Sequence, residues 1–445
     1  MLAHTDIRAA ASAPRPKPDL QLASDAGRFS ERQHWIRSQM VNAARHAASV
    51  RGFNRSEFGD GPTAPRESNV RAVNALLARV ARGQGDAIAK LNAIGARTLG
   101  NPSKALLASF ARANDAAQAK TRLTEQVWLY FYNLFDQRTG PFANQLLAMD
   151  RIALDCYQAC YMGLGKARSI PSPPPMAYVE AGYGPATYRR GVRLSKLGKL
   201  PNPFPLVKLP YHRLINPWSL GAVPHEIGHN IQNDLSLWSV APNLIENRLR
   251  KTEVPPSVIA VWKKWHKEMF ADFIGVLLIG PAYISSLMDV VGKSPERVAK
   301  FNPSGVHPTS YLRPLINTVL LKRIGFAKEA EEFERSWKSL YSNAVIRMLP
   351  ADLWSNFEKA ALEAVKALCF DPHQAFGGKA LAEVTAFRRQ DVPVVREAAQ
   401  RLAAGTDPGI VPERFLICAA RDALERKLAP PQRIAANFYD ALAGR

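Results

Sequence analysis

Two histidines and a glutamate in one short segment have the residue types and spacing of a hydrolytic metal site. His225 and His229 are four residues apart, and Glu226 directly follows the first histidine. Residues four apart lie on the same face of an α-helix, so both imidazoles can bind one ion. Zn²⁺ suits such ligands and lowers the pKa of its bound water to about 7. Glu226 is then predicted to be the general base that takes a proton from the zinc-bound water and passes it to the leaving amine.

A carboxylate further along the chain completes the predicted ligand set. Glu268 lies in a second helical pattern, and Asp272 follows it by four residues on the same face. Catalytic zinc sites use three protein ligands, so Glu268 is predicted to be the third, with Asp272 accepting the other ring N–H of a ligating histidine. The alternative is that Glu268 forms an exposed i,i+4 ion pair with Lys264. His266 is a weaker candidate ligand because it lies on a different face from Asp272.

These motifs resemble those of the gluzincin metallopeptidases, in which H-E-x-x-H is followed by a helix carrying E-x-x-x-D. The segment HPTSYLR, from His307 to Arg313, resembles the H-P-x-x-x-x-R element of the gluzincin family of prenyl-protein endopeptidases and related heat-shock membrane proteases. The glutamate helix is equally similar to that of cytoplasmic regulatory proteases that cleave repressors. The resemblance covers residues 223–313 only. Most prenyl-protein endopeptidases are membrane-embedded, whereas this sequence has no convincing span, so their lipidated substrates are not expected here.

The resemblance implies a zincin-like core and a set of residue roles. Those roles are metal ligation by His225, His229 and Glu268, general-base catalysis by Glu226, and support of the site by the Asp272 carboxylate. By the same resemblance, His307 and Arg313 act in catalysis, near the substrate oxyanion or as supports of the site. The alternative is that His307-Pro308-Thr309 begins a helix and that Arg313 forms a surface pair.

Helices and strands must bring these residues together. A helix is predicted to begin near Pro224, because proline is favoured in a first helical turn. Short segments at 176–180, 186–194 and 204–209 contain Val, Tyr and Thr, are bounded by Gly and Pro, and are predicted to be strands. Peptides bind to zinc peptidases along an edge strand. The segment 204–209 is the predicted edge strand, with Phe204, Leu206 and Lys208 as substrate-binding residues.

The sequence patterns predict a mainly α protein with a small β element, of the α+β class, in which a zincin-like core is flanked by helical regions. Long amphipathic segments run over 68–99 and 103–134. A proline-rich segment at 170–175 marks a domain boundary. The predicted organisation is a disordered basic tail at 1–25, a helical domain at 26–169, the zincin-like catalytic domain at 170–325 and a C-terminal helical region at 326–445.

The charge of the chain favours anionic partners. Its formal net charge is +21, from 59 basic and 38 acidic residues. The stretch 186–213 holds seven basic residues and no acidic one. A solvated basic face is the simpler interpretation of this stretch, and the alternative is a contact with a polyanion or an acidic substrate. The sequence contains no zinc-finger, RNP-type or basic-zipper arrangement, so sequence-specific recognition of nucleic acid is not predicted.

Cysteine usage and hydropathy bear on the compartment. The chain has four cysteines, too few for a disulfide framework, and they are predicted to be buried thiols. Cys156 and Cys160 are one helical turn apart, and the alternative for these two is that they form part of a metal site. The apolar stretch 273–287 is interrupted by Gly280-Pro281 and is shorter than a bilayer requires, which predicts a buried helix followed by a turn. Without a secretory segment or a span, a cytoplasmic location is the default expectation.

The leading interpretation is a zinc-dependent endopeptidase that acts on a protein or peptide substrate. A second enzymatic interpretation has the same site hydrolyse a non-peptide amide. A third, from a different class, is a basic helical scaffold or nucleic-acid-binding protein whose metal site is structural or vestigial. A structural metal cage has no need of Glu226, so the presence of this glutamate favours catalysis.

Overall fold

A computed structural model describes residues 26–165, 169–182, 184–341 and 343–445, with side chains from residue 31 onwards. The predicted tail, residues 1–25, lies outside the described residues. The contacts of the chain divide it into two compact units, one made of the residues up to Gly52 together with Ala75–Trp128, the other of Phe53–Asn74 together with Leu129–Arg445.

The smaller unit is helical. It contains α1 (Ala26–Ser49), the middle and C-terminal parts of α2 (Glu67–Gly100) and most of α3 (Lys104–Asp136). Apolar residues recur at three- and four-residue spacing along these helices, so each has one apolar face. These faces meet in a core that includes Ile36, Leu91 and Phe110. The two long helices predicted from periodicity are confirmed.

The larger unit contains the remaining helices and all the strands of the described residues. Its first helices are α4 (Ala143–Leu164), α5 (Tyr211–Ile215), α6 (Ala222–Asp234), α7 (Ala241–Leu249), α8 (Pro256–Lys264), α9 (His266–Ile279) and α10 (Pro281–Val291). They are followed by α11 (Pro295–Val298), α12 (Leu312–Arg323), α13 (Ala327–Leu340), α14 (Asn343–Arg347), α15 (Ala351–Ser355) and α16 (Phe357–Val365). The last are α17 (Leu381–Val384), α18 (Asp391–Ala404), α19 (Phe415–Glu425) and α20 (Pro431–Ala443). Short 3₁₀ turns span Arg55–Phe58, Ser195–Leu197, Pro217–Ser219 and Gln374–Phe376, and a π-helical turn spans Lys366–Phe370.

In the described part of the chain, the β structure consists of five short strands in two sheets. They are β1 (Met176–Val179), β2 (Ala186–Tyr188), β3 (Arg193–Leu194), β4 (Leu200–Pro201) and β5 (Leu206–Leu209). In the three-stranded sheet β5 is central, parallel to β1 and antiparallel to β2, and β3 pairs with β4 in a two-stranded sheet. The fold is therefore mainly α with a small β element, as the sequence predicts.

A buried ion pair attaches the three-stranded sheet to α4. Asp150 of α4 accepts hydrogen bonds from the backbone N–H of Ala177 in β1 and from Arg138, both at 2.7 Å. The Arg138 side chain is 1% exposed, and its guanidinium also donates to the Ala177 carbonyl. Because a buried charge is tolerated only when it is paired and hydrogen-bonded, this arrangement holds β1 in one position against α4.

Helices α6 and α9 pack closely at the centre of the larger unit. Every residue of α9 from Glu268 to Ile279 is buried, as expected of a helix that is apolar on all sides. A methyl group at Gly228 of α6 would lie 2.7 Å from the Ala271 Cα atom, so the contact requires glycine. After α9 the chain turns at Gly280, at φ +54°, and Pro281 begins α10. The predicted buried helix followed by a turn is confirmed. No helix in the described ranges is long and apolar enough to span a membrane.

Candidate metal centre

Helix α6 presents the H-E-x-x-H residues. It begins at Ala222, and Pro224 occupies its first turn, where a missing N–H costs no hydrogen bond. Ser286 of α10 accepts a hydrogen bond from the Gly221 N–H at 3.0 Å, which ties the start of the helix to its neighbour. The rings of His225 and His229 lie on one face, with centroids 4.8 Å apart. The helix that the spacing predicted is confirmed.

Helix α9 brings Glu268 to the two histidines. The His225 Nε2 atom lies 3.5 Å from one Glu268 carboxylate oxygen, and the His229 Nε2 atom lies 3.4 Å from the other. These three side chains are 11%, 13% and 9% exposed. The alternative prediction, an exposed ion pair between Glu268 and Lys264, is wrong, because Lys264 donates instead to the Pro303 carbonyl at the surface.

The separations among these ligand atoms fit a metal ion. One ligand atom from each of His225, His229 and Glu268 lies within 4.8 Å of the other two. Two atoms bound to tetrahedral zinc at its usual bond lengths are about 3.3–3.4 Å apart, close to the two histidine–carboxylate separations of 3.5 and 3.4 Å. Moreover, the buried His229 Nδ1 atom has no hydrogen-bond partner among the described residues. The polar contacts that orient this ring are therefore those of its Nε2 atom, which faces Glu268. The group can therefore bind a metal ion.

Asp272 is the centre of the hydrogen-bond network behind the ligands. Its carboxylate accepts from His225 Nδ1 at 2.8 Å, from Arg313 Nε at 2.7 Å and from Asn317 Nδ2 at 3.1 Å. The Tyr283 hydroxyl donates to the same carboxylate. With Nδ1–H donated to Asp272, the Nε2 lone pair of His225 is directed to the ligand cluster. The contact that the sequence predicted between Asp272 and a histidine is present.

The charges of this network determine the protonation of the ligands. Burial disfavours the charged form of His225, but hydrogen bonds with Asp272 and Glu268 outweigh it and raise the pKa of the imidazole to about 9. Burial and the charge of His225 lower the pKa of His229 to about 3. Burial opposes ionisation of both carboxyl groups, yet His225 and Arg313 hold the pKa values of Glu268 and Asp272 well below their usual range. The metal-free centre thus holds one extra proton at neutral pH, on His225.

Glu226 differs from the other carboxylates. Burial raises its pKa to about 7, against the opposing positive charges of His225 and Arg313. No described residue hydrogen-bonds its carboxylate. Its backbone carbonyl instead accepts from Asn230 at 2.9 Å, and Asn230 in turn donates to the Thr187 hydroxyl of β2 at 2.8 Å. A buried carboxyl group with a pKa near neutrality and no fixed partner is suited to accept and release a proton.

The ligand cluster lies at the wall of a cleft of about 450 Å³. Ala186 and Thr187 of β2 line one side of the cleft, and Glu226 and His229 line another. Among the described residues, β2 pairs with β5 on one side and with no strand on the other, and an unpaired strand side can accept a further strand. One backbone group of β2, the Tyr188 carbonyl, already accepts a hydrogen bond from the Asn202 side chain.

The prediction that segment 204–209 is an edge strand is wrong. Segment 204–209 contains β5, which is paired on both sides and cannot accept another strand. Phe204 and Leu206 are fully buried, and Lys208 lies 3.9 Å from Glu180. None of the three lines the cleft. The sheet has β1 and β2 as its edge strands, and β2 is the one that lines the cleft. Strand order could not be read from the sequence because the segments have the same short, Gly- and Pro-bounded pattern.

His307 and Arg313 both approach the ligand cluster, in different ways. His307 is 65% exposed, lines the cleft and places Nε2 3.4 Å from Glu268. Arg313 is 12% exposed, and its guanidinium binds Asp272 and lies 3.2 Å from Glu268. The surface pair proposed as an alternative for Arg313 is therefore wrong. Both residues line the cleft, but the Arg313 guanidinium is held by two carboxylates, whereas most of the His307 side chain is exposed.

Other candidates lie away from the cluster. The His266 ring faces Gln232, with Nδ1 and the amide nitrogen 3.3 Å apart. Cys156 and Cys160 are buried, with pKa values raised by burial. The predicted buried thiols are confirmed at all four positions.

Sequence reasoning missed several residues of the site. Asn317 is one helical turn after Arg313 on α12 and shares its target, which is a spacing signal that could have found it. Tyr283 has no such signal, since it reaches Asp272 from α10. The cleft wall also contains Arg189, Trp238 and Lys267, which the sequence places in three separate segments.

Comparison of the chain with protein-family models, with curated proteins and with solved structures finds no match in any of the three. The resemblance to the prenyl-protein endopeptidase family thus depends on the three short motifs alone. Any function must be argued from the geometry of the site.

Proposed function

We propose that this chain is a zinc-dependent endopeptidase. The observation that carries the proposal is the convergence of His225, His229 and Glu268 beside a cleft that also contains the unpartnered carboxylate of Glu226. Two imidazoles and one carboxylate form a ligand set of catalytic zinc, with one position left open. When bound, Zn²⁺ would supply Lewis acidity that polarises a carbonyl and lowers the pKa of water.

In this proposal Glu226 moves the proton. Its carboxylate accepts a proton from the attacking water and returns it to the amine nitrogen as the peptide bond breaks. In the metal-free protein, burial raises the pKa of Glu226 to about 7, and general catalysis is most efficient when the group's pKa is close to the working pH. A structural metal site would have no use for a buried carboxyl group held without a partner.

In this proposal, the residues around the ligands orient them and bind the substrate. Asp272 holds the His225 ring through Nδ1, and Arg313 holds both Asp272 and Glu268. His307, with its ring at the cleft surface, is suited to donate a hydrogen bond to the oxyanion. The free edge of β2 favours a peptide over a small amide, since it offers backbone hydrogen bonds to an extended chain.

The test compares the native chain with Glu226→Gln, which removes the proton acceptor but keeps the size of the side chain. Both proteins should bind one equivalent of zinc, measured by elemental analysis after removal of loose metal. Cleavage of a mixed peptide library, followed by mass spectrometry, should fall by about 10²–10⁴-fold in the variant.

A matched control is Glu253→Gln, which changes an exposed glutamate outside the cleft. This variant should keep full activity. Absence of bound zinc in the native chain, or equal cleavage by native and Glu226→Gln proteins, would contradict the proposed function.

A further inference from the structure

A tryptophan in the cleft wall is held between two cations. The Arg189 guanidinium carbon lies 3.7 Å from the centroid of the Trp238 ring, and the Lys267 Nζ atom lies 4.0 Å from it. All three side chains are half-buried and line the same cleft as Glu226 and His229. Cation–π contacts of this kind orient a cation but leave its hydrogen-bond donors unused.

Neither cation is neutralised by the protein. Among the residues that the structure describes, no carboxylate lies within ion-pair distance of Arg189 or Lys267, and Arg189 donates only to the side-chain oxygen of Asn233, at 3.1 Å. Two like charges held close together without an ion-pair partner are unfavourable, and an anion bound to both would relieve that cost.

Other cations of the basic stretch 186–213 have partners within the protein. Arg190 donates to the carbonyls of Ser172 and Pro173, while Lys196 and Lys208 both face Glu180. Arg189 differs from these three cations because it lines the cleft.

A second groove continues the same surface. It has a volume of about 630 Å³ and shares Lys267 and Val306 with the metal cleft. Arg250, Lys263 and Lys264 line it as well. The acidic residue in its lining, Glu246, already binds Arg250 and Lys263. An extended chain that leaves the metal cleft along this groove thus meets an excess of positive charge.

We propose that the metal cleft selects peptides by a carboxylate that binds both Arg189 and Lys267 at the edge of the Trp238 ring, where the ring's quadrupole is positive. This inference rests on the proposed endopeptidase function and names its substrate class: peptides with an aspartate or glutamate side chain near the bond that is cut. A free C-terminal carboxylate offers the same chemistry at the end of a chain, and the experiment distinguishes the two sources.

The experiment measures binding by calorimetry to the zinc-loaded full chain that carries Glu226→Gln, so that no probe is consumed. Three short acetylated peptides serve as probes: one with a central Asp and an amidated end, its Asn twin, and the Asn twin with a free C-terminal carboxylate. The Asp peptide should bind at least about tenfold more tightly than its Asn twin, the worth of one hydrogen bond to a charged group. This ratio should fall to near one when Arg189→Gln and Lys267→Gln are added.

A matched variant removes two exposed cations outside the cleft, with Arg335→Gln and Lys359→Gln. It should keep the tenfold ratio. Lys267→Gln alone replaces the double variant if the latter does not fold, and should lower the ratio partway.

Four outcomes would overturn the proposal: no binding of the Asp peptide, equal binding of the Asp and Asn peptides, a ratio that the cleft variant leaves intact, or an equal fall of the ratio in the matched variant. Preference for the free C-terminal carboxylate over the Asp side chain would reassign the site to chain ends. Single-stranded DNA binding that is lost in the cleft variant, with no discrimination between peptides, would replace the peptide with nucleic acid. The proposed function fails separately: if the native chain binds zinc but cuts neither peptide nor the library, endopeptidase activity is refuted, while the affinity ratio still decides the anion site.

Discussion

Replacement of Asp272 with asparagine should change how metal affinity depends on pH. The Asp272 side chain is 1% exposed and accepts hydrogen bonds from His225, Arg313, Asn317 and Tyr283. Asparagine keeps the shape but loses the charge, and its NH₂ group must face one of these donors. The His225 ring then loses its fixed acceptor, and Arg313 is left with Glu268 as its remaining carboxylate partner.

Two effects of opposite sign set the magnitude. Loss of the group that orients a metal-binding histidine costs about 10–100-fold in affinity. In the native chain, however, the pKa of His225 is raised to about 9, and a histidine must be deprotonated to bind metal. At pH 7 this proton competition costs the native chain about 100-fold in affinity, whereas in the variant the pKa returns towards its ordinary value and most of the cost disappears.

The two proteins should therefore have similar zinc affinities near pH 7 and differ by about 10–100-fold at pH 9. The native affinity should rise about tenfold per pH unit between pH 7 and 9, and that of Asp272→Asn should stay nearly constant. Zinc is titrated into metal-free protein in competition with a chelator at pH 7, 8 and 9.

Asp371→Asn is the control, because Asp371 is 34% exposed and binds Arg248 away from the metal centre. Its affinities should follow the native curve. Equal slopes for Asp272→Asn and the native chain would refute the assignment of the proton to the His225–Asp272 pair. Equal affinities at pH 9 would refute the orienting role of Asp272.

Three further changes have predictable effects on unfolding in urea. Gly228→Ala would place a methyl group 2.7 Å from the Ala271 Cα atom and should destabilise the protein by about 1–3 kcal/mol. Its control, Gly85→Ala, has open space around it in α2 and should stabilise the protein by up to about 1 kcal/mol. Equal effects of the two substitutions would contradict the close contact of α6 and α9. The pKa of Glu226 is raised from 4.5 to about 7, so its contribution to stability is present below pH 4.5 and is lost as the pH rises to 7. Metal-free Glu226→Gln should therefore be more stable than the native chain by about 3 kcal/mol at pH 8 and equal to it near pH 4. A stability difference that does not depend on pH would argue against this burial effect. Arg313→Met leaves buried Asp272 and Glu268 without their cation and should lower the free energy of unfolding by about 3–5 kcal/mol. Its control, Arg248→Met, removes half-exposed ion pairs and should lower it by at most about 1 kcal/mol. Similar losses for both variants would show that the Arg313 pair is not buried in solution.

The sequence alone was enough wherever the information is local. A spacing of four residues places His225 beside His229, and Glu268 beside Asp272, because helical dihedral angles determine which side chains share a face. The helices that carry them were predicted for the same reason, as was the break between α9 and α10 at Gly280-Pro281, where a glycine with positive φ precedes a proline. Local periodicity does not predict how far apart two such helices lie in the fold.

Only the tertiary structure decided which surfaces meet. Gly228 lets α6 approach α9, and that contact brings Glu268 to the two histidines. Tyr283 and Asn317 reach Asp272 from helices that no spacing rule links to it. Strand order made β2 an edge and β5 the centre, although their sequences look alike, because pairing depends on partners that are distant along the chain. For the same reason the sequence showed a basic stretch, but only the fold left Arg189, beside Lys267, without an ion-pair partner at the cleft.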